Sequence, residues 1–333
     1  MLIFVPARNS RTKMAKNNNE IKIVFMGTPI FAVTILKALQ EATFNIVGVF
    51  TRPDKKVGRN QELQKSDVKV IAENYNLPVI EMEKINDEFM AKIASLKPDI
   101  IVVAAFGSIL PKSVLDIPKF GSVNVHASIL PKYRGPSPIQ NAILRGEKET
   151  GVTIMLMDEG IDTGDILTQE KIEIGENENL IELYERLANL GAKLLVETIP
   201  RFVNGEIKPV VQDNAHAVIC ELIEKSDGKI NWSESADTLY NCYRAFTPWP
   251  GIFTFLEKNG TLMRIKLNKI SKKPGEKEKK HHLGEVFAEG DEIFVQAGDG
   301  CIVLEEIQPE GKTNMDIKSF INGNPEFIGS ILK

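Results

Sequence analysis

The spacing of hydrophobic and polar residues predicts a parallel α/β sheet in the first part of the chain. Residues 21–26 are apolar apart from Lys22, which is typical of a buried strand, and residues 46–50 form a second such run. Between them lies a helical pattern whose apolar face carries Phe31, Ile35, Leu36 and Leu39. Because a strand, a helix and a strand in close succession form a βαβ unit, we expect the two strands to be parallel.

The same alternation of strands and helices continues along this part of the chain. The most apolar run, 99–105, is expected at the centre of the sheet, since strands buried on both faces are hydrophobic throughout. Thr28 and Pro29 suit the N-cap and the first position of the first helix. Further strands are expected at 79–80, 123–126 and 152–157, and further helices at 68–75 (capped by Asp67), 87–96 (capped by Asn86), 139–144 and 179–203 (broken at Pro200).

A second, smaller unit follows. Periodicity fades between 206 and 228, which predicts a linker, and a helix is expected at 236–246. Beyond it the chain shows short strand patterns, and residues 262–267 alternate strictly between apolar and polar side chains. Short strands of this kind predict a small antiparallel barrel, for which an OB-type fold is the best match.

The predicted fold class is therefore α/β: a Rossmann-like open, mostly parallel sheet with helices on both faces, followed by a small OB-like antiparallel β-barrel domain. The expected segments are an N-terminal tail at 1–20, a catalytic domain at 21–205, the linker at 206–228 and a C-terminal domain at 229–333. The tail carries four basic residues and no acid before Glu20. We expect it to be disordered, or to precede an alternative start at Met14, since support for a transit peptide is weak.

Composition narrows the function classes. The 333 residues carry a formal net charge of −4, so any affinity for a nucleic acid must come from a local patch. The three cysteines, Cys220, Cys242 and Cys301, are far apart and odd in number, which argues against a disulfide framework or a zinc cluster. No apolar run approaches the roughly 18 residues of a membrane helix. These features predict a cytoplasmic protein without a membrane partner.

Two polar side chains end an otherwise apolar strand. Asn124 and His126 are two positions apart, so both project from the same face of that strand. Asp162 lies in a glycine-containing loop after the next strand, where a carboxylate can orient an imidazole and take part in proton transfer. These three residues, called the trio below, are a candidate catalytic group, although a single histidine is more often structural and Asp162 alone suits an Asx turn. No second His or Cys has metal-ligand spacing from His126, and no nucleophile motif occurs, so we expect neither metal catalysis nor a covalent intermediate.

Two basic segments indicate a polyanionic ligand. The first, 52–69, follows the second strand at the sheet edge where α/β proteins bind ligands, and the second, 258–282, is rich in lysine. A charge run is usually a solvated surface, but on an OB-like domain of an acidic protein it favours contact with phosphates. The residues expected to contact RNA are Arg52, Lys55, Lys56, Arg59, Arg264, Lys266, Lys269, Lys272 and Lys273. His281 and His282 are expected to be solvated rather than to bind a metal.

Five motifs occur in order along the chain. They are FMGTP at 25–29, TRPD at 51–54, NVHASILP at 124–131 with DTGD at 162–165, RAFTPWPG at 244–251, and QPEGK at 308–312. Each is moderately specific alone, and in this order they are highly specific. From about residue 21 to residue 329 the chain resembles the methionyl-tRNA formyltransferase family of folate-dependent enzymes.

The resemblance implies transfer of the formyl group of 10-formyltetrahydrofolate, the co-substrate, to the α-amino group of methionyl-initiator tRNA for translation initiation. The family's catalytic residues fall on Asn124, His126 and Asp162. Its folate-contacting residues fall on Phe106, Gly107, Ser108, Ile109, Leu110, Ser128, Ile129, Leu130, Pro131 and Asp158. No metal is implied, and a monomer is expected.

Two other functions stay open from the sequence. A formyltransferase acting on a small amine, such as an amino sugar nucleotide, would share the trio but would need neither basic segment. A non-enzymatic RNA-binding protein would not need an intact trio. The chain also departs from the family at 58–61 and 66–69, where fewer lysines and an extra acid reduce the positive charge of the first basic segment.

Overall fold

The computed structural model describes residues 16–57, 61–258, 260–274 and 281–333. The strands of its first part are β1 (Lys22–Gly27), β2 (Asn45–Thr51), β3 (Lys55–Val57), β4 (Glu62–Gln64), β5 (Val79–Glu81), β6 (Ile100–Ala104), β7 (Ser122–His126), β8 (Glu149–Leu156) and β9 (Ile166–Glu173). The helices are α1 (Ile30–Glu41), α2 (Asp67–Asn74), α3 (Asp87–Leu96), α4 (Lys112–Leu115), α5 (Pro138–Leu144) and α6 (Leu180–Val203). No helix among the described residues is both long and hydrophobic enough to span a bilayer.

Seven of these strands form one sheet in the order β5-β2-β1-β6-β7-β8-β9. The strands β5, β2, β1, β6 and β7 are parallel, whereas β8 and β9 run antiparallel to their neighbours. This mostly parallel sheet confirms the predicted α/β class. β6 takes the middle position and is buried along its whole length, as its apolar sequence predicts. The direction of strand addition reverses between β1 and β6, which is where open α/β sheets form their ligand crevice.

Helices cover both faces of this sheet. On one face Phe25 and Val102 belong to a buried cluster with residues of α1, α2 and α6. On the other face Met26 and Val103 belong to a separate cluster with residues of α3 and α4. Because adjacent strand residues point to opposite faces, the continuous apolar runs of β1 and β6 supply both clusters.

The caps of two helices differ from the prediction. α1 begins at Ile30 with Pro29 in the N-cap position, so Thr28 is not the cap. Ser66 rather than Asp67 caps α2, because its Oγ accepts a hydrogen bond at 3.1 Å from the N–H three residues on. Asn86 caps α3 as predicted.

α6 continues through Pro200, where the sequence predicts a break. The proline removes one helical hydrogen bond near the C-terminal end of the helix. Ile199 and Val203 on either side are buried in the core, and this packing holds the last turn in place.

The first basic segment also differs from the expected loop, since β3 and β4 pair there as an antiparallel ribbon.

The second part of the chain forms a curved antiparallel sheet. Its elements are α7 (Ala236–Phe246), β10 (Ile252–Lys258), β11 (Thr261–Pro274), β12 (Val286–Glu289), β13 (Glu292–Gln296), β14 (Gly300–Pro309), β15 (Met315–Asp316) and α8 (Ile317–Gly323). The strand order is β10-β11-β14-β13-β12, with β15 paired to β14. Leu332 bridges to Leu256 of β10, and Ile331 bridges to Glu285 just before β12. The last residues therefore connect the two edges of the sheet, in agreement with the predicted OB-like barrel.

α7 holds the second part against the first. The Arg244 guanidinium is buried, and its Nη1 donates to the carbonyl oxygens of Gly175 and Glu178 at 3.1 and 2.8 Å. The Tyr240 hydroxyl donates to Asn177 at 3.1 Å. Both contacts are made to the turn before α6, which fixes this turn to α7. The domain boundaries themselves stay a prediction.

Candidate active site

The trio comes together on one face of β7. The Asn124 Nδ2 lies 3.3 Å from the Asp162 Oδ1, and the His126 Nδ1 lies 3.5 Å from the Asp162 Oδ2. His126 is only 5 % exposed, whereas Asn124 and Asp162 are half-buried. Because β8 runs antiparallel to β7, the loop that carries Asp162 begins beside Ser122 and extends back toward the other two residues. An amide and an imidazole thus share one carboxylate.

Asp162 is held in an unusual backbone conformation. Its φ of +53° lies in the left-handed region, which aspartate tolerates better than most residues. The loop requires two glycines, because a Cβ on Gly160 would lie 2.0 Å from Thr163 Oγ1 and one on Gly164 would lie 2.0 Å from a carbonyl oxygen of β8. The Asp158 carboxylate accepts hydrogen bonds from the Gly160 N–H and the Thr163 hydroxyl at 3.1 and 2.7 Å. The loop sequence therefore specifies a tight turn that directs Asp162 toward β7.

The hydrogen bonds of His126 decide which ring nitrogen faces the trio. Its Nε2 lies 2.9 Å from the carbonyl oxygen of Tyr133. A carbonyl oxygen only accepts, so Nε2 carries the proton of this bond. The Nδ1 is therefore the nitrogen that faces Asp162, and it accepts a proton when the ring is neutral and donates one when the ring is charged. His126 and Asp162 can thus exchange a proton with a substrate placed beside them.

The loop between β7 and α5 supports both ionisable members of the trio. Tyr133 supplies the carbonyl for His126 from a left-handed backbone with φ +61°, which is rare for an aromatic residue. The Gly135 N–H donates to the Asp162 Oδ2 at 2.8 Å. Only glycine fits there, because φ is +113° and a Cβ would lie 2.4 Å from the Cys220 carbonyl oxygen. Strained backbone of this kind concentrates at functional sites.

The side chain of Tyr133 anchors this loop. Its hydroxyl donates to the Glu147 Oε1 at 2.6 Å, and the Lys132 Nζ lies 3.1 Å from the same oxygen. The hydrogen bond from Tyr133 lowers the pKa of Glu147 below its usual value, and burial raises the pKa of the Tyr133 phenol. The phenol therefore stays protonated and the carboxylate ionised, which gives a charge-assisted bond.

The residues after β6 form an apolar wall beside the trio. Phe106 and Leu110 are buried, and the register of β6 and β7 places Val103 opposite Asn124. Gly107 and Ser108 are exposed, and Ile109 is 72 % exposed. Asp158 is exposed on the opposite loop. Contact of these residues with folate stays a prediction.

Residues 128–131, the second group predicted to contact folate, divide into two buried and two half-buried residues. Ser128 and Leu130 are buried, and their polar groups bond within the protein, to Lys132, Thr153 and Gln169. The Ser128 hydroxyl is therefore already engaged within the protein. Ile129 and Pro131 are half-buried and retain surface for contact.

Gln212 is a site residue that the sequence analysis does not single out. It lies in the predicted linker, is 5 % exposed, and donates from Nε2 to the carbonyl oxygens of Asp162 and Gly164 at 2.9 and 2.7 Å. Arg134 is 7 % exposed and donates to the Gln212 Oε1. Neither residue belongs to a periodic segment, so no pattern marks them as neighbours of the trio.

The first basic segment lies at the edge of the site. The Arg52 guanidinium donates to the Gly107 carbonyl oxygen, next to the predicted folate wall. Lys55 and Lys56 are exposed on β3. Arg59 lies outside the described residues. Contact of Arg52, Lys55 and Lys56 with tRNA stays a prediction.

The second basic segment contains two kinds of cation. Three lysines pair with carboxylates: Lys269 with Glu305, Lys272 with Asp237, and Lys273 with Glu292. Their charges are partly compensated within the protein, which weakens the prediction that they bind phosphate. Arg264 and Lys266 instead line a cleft of about 210 Å³ together with residues 308–311, and neither side chain pairs with a carboxylate of the described residues.

Comparison with known proteins identifies relatives of both parts of the chain. Residues 21–199 match the formyl transferase family, and residues 222–325 match the formyl transferase C-terminal domain. The methionyl-tRNA formyltransferase of Caldicellulosiruptor saccharolyticus is 46 % identical over 314 residues, which cover 93 % of this chain and 99 % of that protein. The methionyl-tRNA formyltransferase of Bacillus velezensis is 41 % identical, covering 93 % of this chain and 97 % of that protein.

Solved structures give the same picture. An N-formyltransferase from Helicobacter canadensis, crystallised with folinic acid and dTDP-3-aminofucose, is similar with a TM-score of 0.63 at 25 % identity, covering 85 % of this chain and 98 % of that one. HypX from Aquifex aeolicus in complex with tetrahydrofolic acid is similar with a TM-score of 0.59 over 92 % of this chain and 47 % of that one. At 17 % identity this second likeness concerns the fold alone. The two domain matches and the near full-length identities show that the chain belongs to the formyl transferase family.

Proposed function

We propose that this protein transfers the formyl group of 10-formyltetrahydrofolate to the α-amino group of methionyl-initiator tRNA, giving the formylmethionyl-tRNA used in translation initiation. The observation that carries the proposal is the meeting of Asn124 and His126 at the carboxylate of Asp162, at 3.3 and 3.5 Å. Formyl transfer between two nitrogens needs a hydrogen bond to the carbonyl oxygen and an acceptor for the proton of the attacking amine. An amide, an imidazole and a carboxylate supply both.

Asn124 is the residue we assign to the formyl oxygen. Its Nδ2 carries two hydrogens, and with one directed at Asp162 the other is free to donate to the substrate. Negative charge grows on the formyl oxygen as the amine attacks, so this bond strengthens in the transition state. Loss of one such donor typically costs about 10²–10³ in rate. His126, when protonated, can donate from Nδ1 to the same oxygen.

His126 and Asp162 are the residues we assign to proton transfer. The amine attacks in its neutral form and must then lose a proton, while N10 of the leaving tetrahydrofolate gains one. Asp162 is fixed by the Gly135 N–H at 2.8 Å and faces the His126 Nδ1. The pair can take the proton from the amine and return it to the leaving nitrogen, directly or through water. Acid–base help of this kind contributes about 10²–10⁴ in rate.

The co-substrate supplies the formyl group, and we assign its ring system to the apolar residues near the trio. Phe106 and Leu110 form a buried apolar wall at the end of β6, adjacent to the strand of Asn124. Small-molecule sites are mostly apolar with a few placed polar groups, and this wall beside the trio has that character. Ile129 and Pro131, in the loop that follows β7, are half-buried and offer further apolar surface.

A tRNA acceptor is supported by the relatives and by two cationic surfaces. Relatives 41 % and 46 % identical over nearly their whole length are methionyl-tRNA formyltransferases. Lys55 and Lys56 stand exposed at the edge of the site, and Arg264 and Lys266 line the cleft on the second domain. We propose a cytoplasmic monomer acting on this acceptor. An amino sugar nucleotide is the second candidate, because the Helicobacter canadensis enzyme, at 25 % identity, was crystallised with dTDP-3-aminofucose.

A direct assay separates the two acceptors. The purified protein is incubated with 10-formyltetrahydrofolate and either methionyl-initiator tRNA or dTDP-3-aminofucose, and the formylated product is quantified. We expect formylation of the tRNA, with an apparent affinity that falls steeply as salt is raised. Asn124→Ala should abolish most of the activity, and Asn204→Ala, the same change at the C-terminal end of α6, should not. Formylation of the sugar nucleotide without formylation of the tRNA would overturn the proposal.

A further inference from the structure

A segment between the two domains runs alongside the trio. Residues 210–220, called the strap, begin where Val210 exchanges two backbone hydrogen bonds with Ile166, the first residue of β9, at 2.8 and 2.9 Å. At the other end the Cys220 N–H donates to the Arg134 carbonyl oxygen at 2.8 Å. The strap is therefore paired at one end with the start of β9, directly after the loop that carries Asp162, and at the other end with the loop that supports His126.

Gln212 lies between these two attachments and uses its whole side-chain amide. Its Nε2 donates to the carbonyl oxygens of Asp162 and Gly164 at 2.9 and 2.7 Å. Its Oε1 accepts from Arg134 Nε and Nη2 at 3.1 and 2.7 Å. Gln212 and Arg134 are both more than nine-tenths buried. A buried amide with every hydrogen bond satisfied specifies one arrangement of the groups around it.

The hydrogen bond from Gln212 to the Asp162 carbonyl oxygen restrains the backbone of Asp162. Asp162 is in the left-handed region at φ +53°, and its carboxylate must reach Asn124, His126 and the Gly135 N–H at the same time. The carbonyl oxygen held by Gln212 belongs to the same residue, so this bond limits rotation of the backbone that directs the carboxylate.

We infer that Gln212 is a positioning residue for formyl transfer: its two amide hydrogen bonds fix the backbone of Asp162, and Arg134 fixes Gln212. The inference rests on the proposed function. A displacement of about 1 Å at a catalytic group can cost on the order of a hundredfold in rate, so loss of these bonds lowers kcat without changing how the substrates bind. The strap that joins the two domains thereby takes part in building the site.

Three variants separate this role from a general loss of packing. Gln212→Ala removes the hydrogen bonds donated to Asp162 and Gly164 and those accepted from Arg134. Gln212→Glu keeps an acceptor for Arg134 but cannot donate to Asp162 or Gly164. Asn214→Ala is the matched control, because Asn214 Oδ1 accepts from Arg134 Nη2 at 2.8 Å but does not contact the Asp162 loop. Thermal unfolding of each variant establishes that it is folded.

Steady-state formylation of methionyl-tRNA gives the first readout. We expect kcat to fall about tenfold or more in Gln212→Ala and Gln212→Glu, with both KM values within about twofold, and Asn214→Ala to match wild type. Wild-type kcat in Gln212→Glu would overturn the inference, because the acceptor alone would then be sufficient. An equal loss in Asn214→Ala would overturn it as well, because the effect would belong to Arg134.

Nuclear magnetic resonance gives a readout that does not depend on activity. At fixed pH the His126 ring ¹H–¹⁵N signals should move in Gln212→Ala, since the Asp162 carboxylate facing Nδ1 is displaced, and should stay in place in Asn214→Ala. If wild type formylates no tRNA, the proposed function fails, and these signals still decide whether Gln212 positions the trio. Unchanged His126 signals in Gln212→Ala would refute the positioning role.

Discussion

Replacing Tyr133 by phenylalanine removes one oxygen atom from the loop that supports His126. The hydroxyl donates to the Glu147 Oε1 at 2.6 Å, and Glu147 keeps the Lys132 Nζ at 3.1 Å after the change. A hydrogen bond to a charged group contributes about 1.5–3 kcal/mol. The Glu147 side chain is 30 % exposed, so water replaces part of the lost bond. We therefore expect the free energy of unfolding of Tyr133→Phe to fall by about 1–2 kcal/mol.

This loss should depend on pH, because the strong bond requires an ionised Glu147. The hydrogen bond from Tyr133 lowers the pKa of Glu147 in the folded protein. Such a group contributes its full stability above the unfolded-state pKa of glutamate, about 4.3, and loses it as pH falls through the lowered folded-state pKa. The difference in unfolding free energy between wild type and Tyr133→Phe should thus be complete at pH 7 and shrink below about pH 4.

Urea unfolding at pH 7 and below about pH 4, monitored by circular dichroism, measures this difference in unfolding free energy. Lys132→Ala is the matched control, because the Lys132 side chain is 53 % exposed and its ammonium contacts the same Glu147 oxygen, and we expect the change to cost less than about 1 kcal/mol. The Tyr133 carbonyl still accepts from His126 in the phenylalanine variant, so its kcat should stay within about threefold of wild type. A Tyr133→Phe protein as stable as wild type at pH 7, or equally destabilised at both pH values, would refute this reasoning.

Three further changes test other parts of the structure. Arg244→Met removes the donor that reaches the Glu178 carbonyl oxygen and one of the two donors to the Gly175 carbonyl oxygen, which still accepts from the Glu178 N–H. The unfolding free energy from urea titration should therefore fall by about 2–4 kcal/mol, and an unchanged midpoint would mean that the burial cost of the guanidinium cancels these bonds. Replacing Arg264 and Lys266 together by alanine should raise KM for methionyl-tRNA about tenfold and reduce its dependence on salt, while KM for the folate co-substrate stays the same. An unchanged KM for methionyl-tRNA would show that this cleft does not bind tRNA. Gly27→Ala places a Cβ 2.5 Å from the Cβ of Ala32 and 2.9 Å from a carbonyl oxygen of β6. The unfolding free energy should therefore fall by about 1–3 kcal/mol in the same titration. An unchanged unfolding free energy would show that α1 can shift to accommodate the methyl group.

The meeting of Asn124 and His126 could be predicted from the sequence, because side-chain direction in a strand repeats every two residues. The sequence also places Asp162 in the loop after the next strand. It does not show how that loop returns to the site, because β8 turns out to be antiparallel to β7 and the return depends on the tight turn around Gly160 and Gly164. Local spacing therefore predicts that Asn124 and His126 lie together, whereas the position of Asp162 beside them depends on the fold.

The contacts that surround the trio were beyond sequence reasoning for a physical reason. Gln212 lies in a stretch without periodicity, and its partners are 50 and 78 residues away in the chain. The lysines of the second basic segment form a visible charge run, yet which of them are compensated depends on carboxylates that folding brings close. Periodicity reports which residues are buried, whereas a hydrogen-bond partner far along the chain leaves no local pattern.

Single-turnover formyl transfer tests the role of the trio most directly, because it separates the chemical step from substrate binding and product release. Wild type, Asn124→Ala, His126→Ala and Asp162→Asn are mixed with saturating 10-formyltetrahydrofolate and methionyl-initiator tRNA, and the reaction is quenched at intervals. We predict that each variant transfers the formyl group at least about 10²-fold more slowly than wild type while binding both substrates within a few-fold of wild-type affinity. Transfer rates within a few-fold of wild type in these variants would contradict the mechanism.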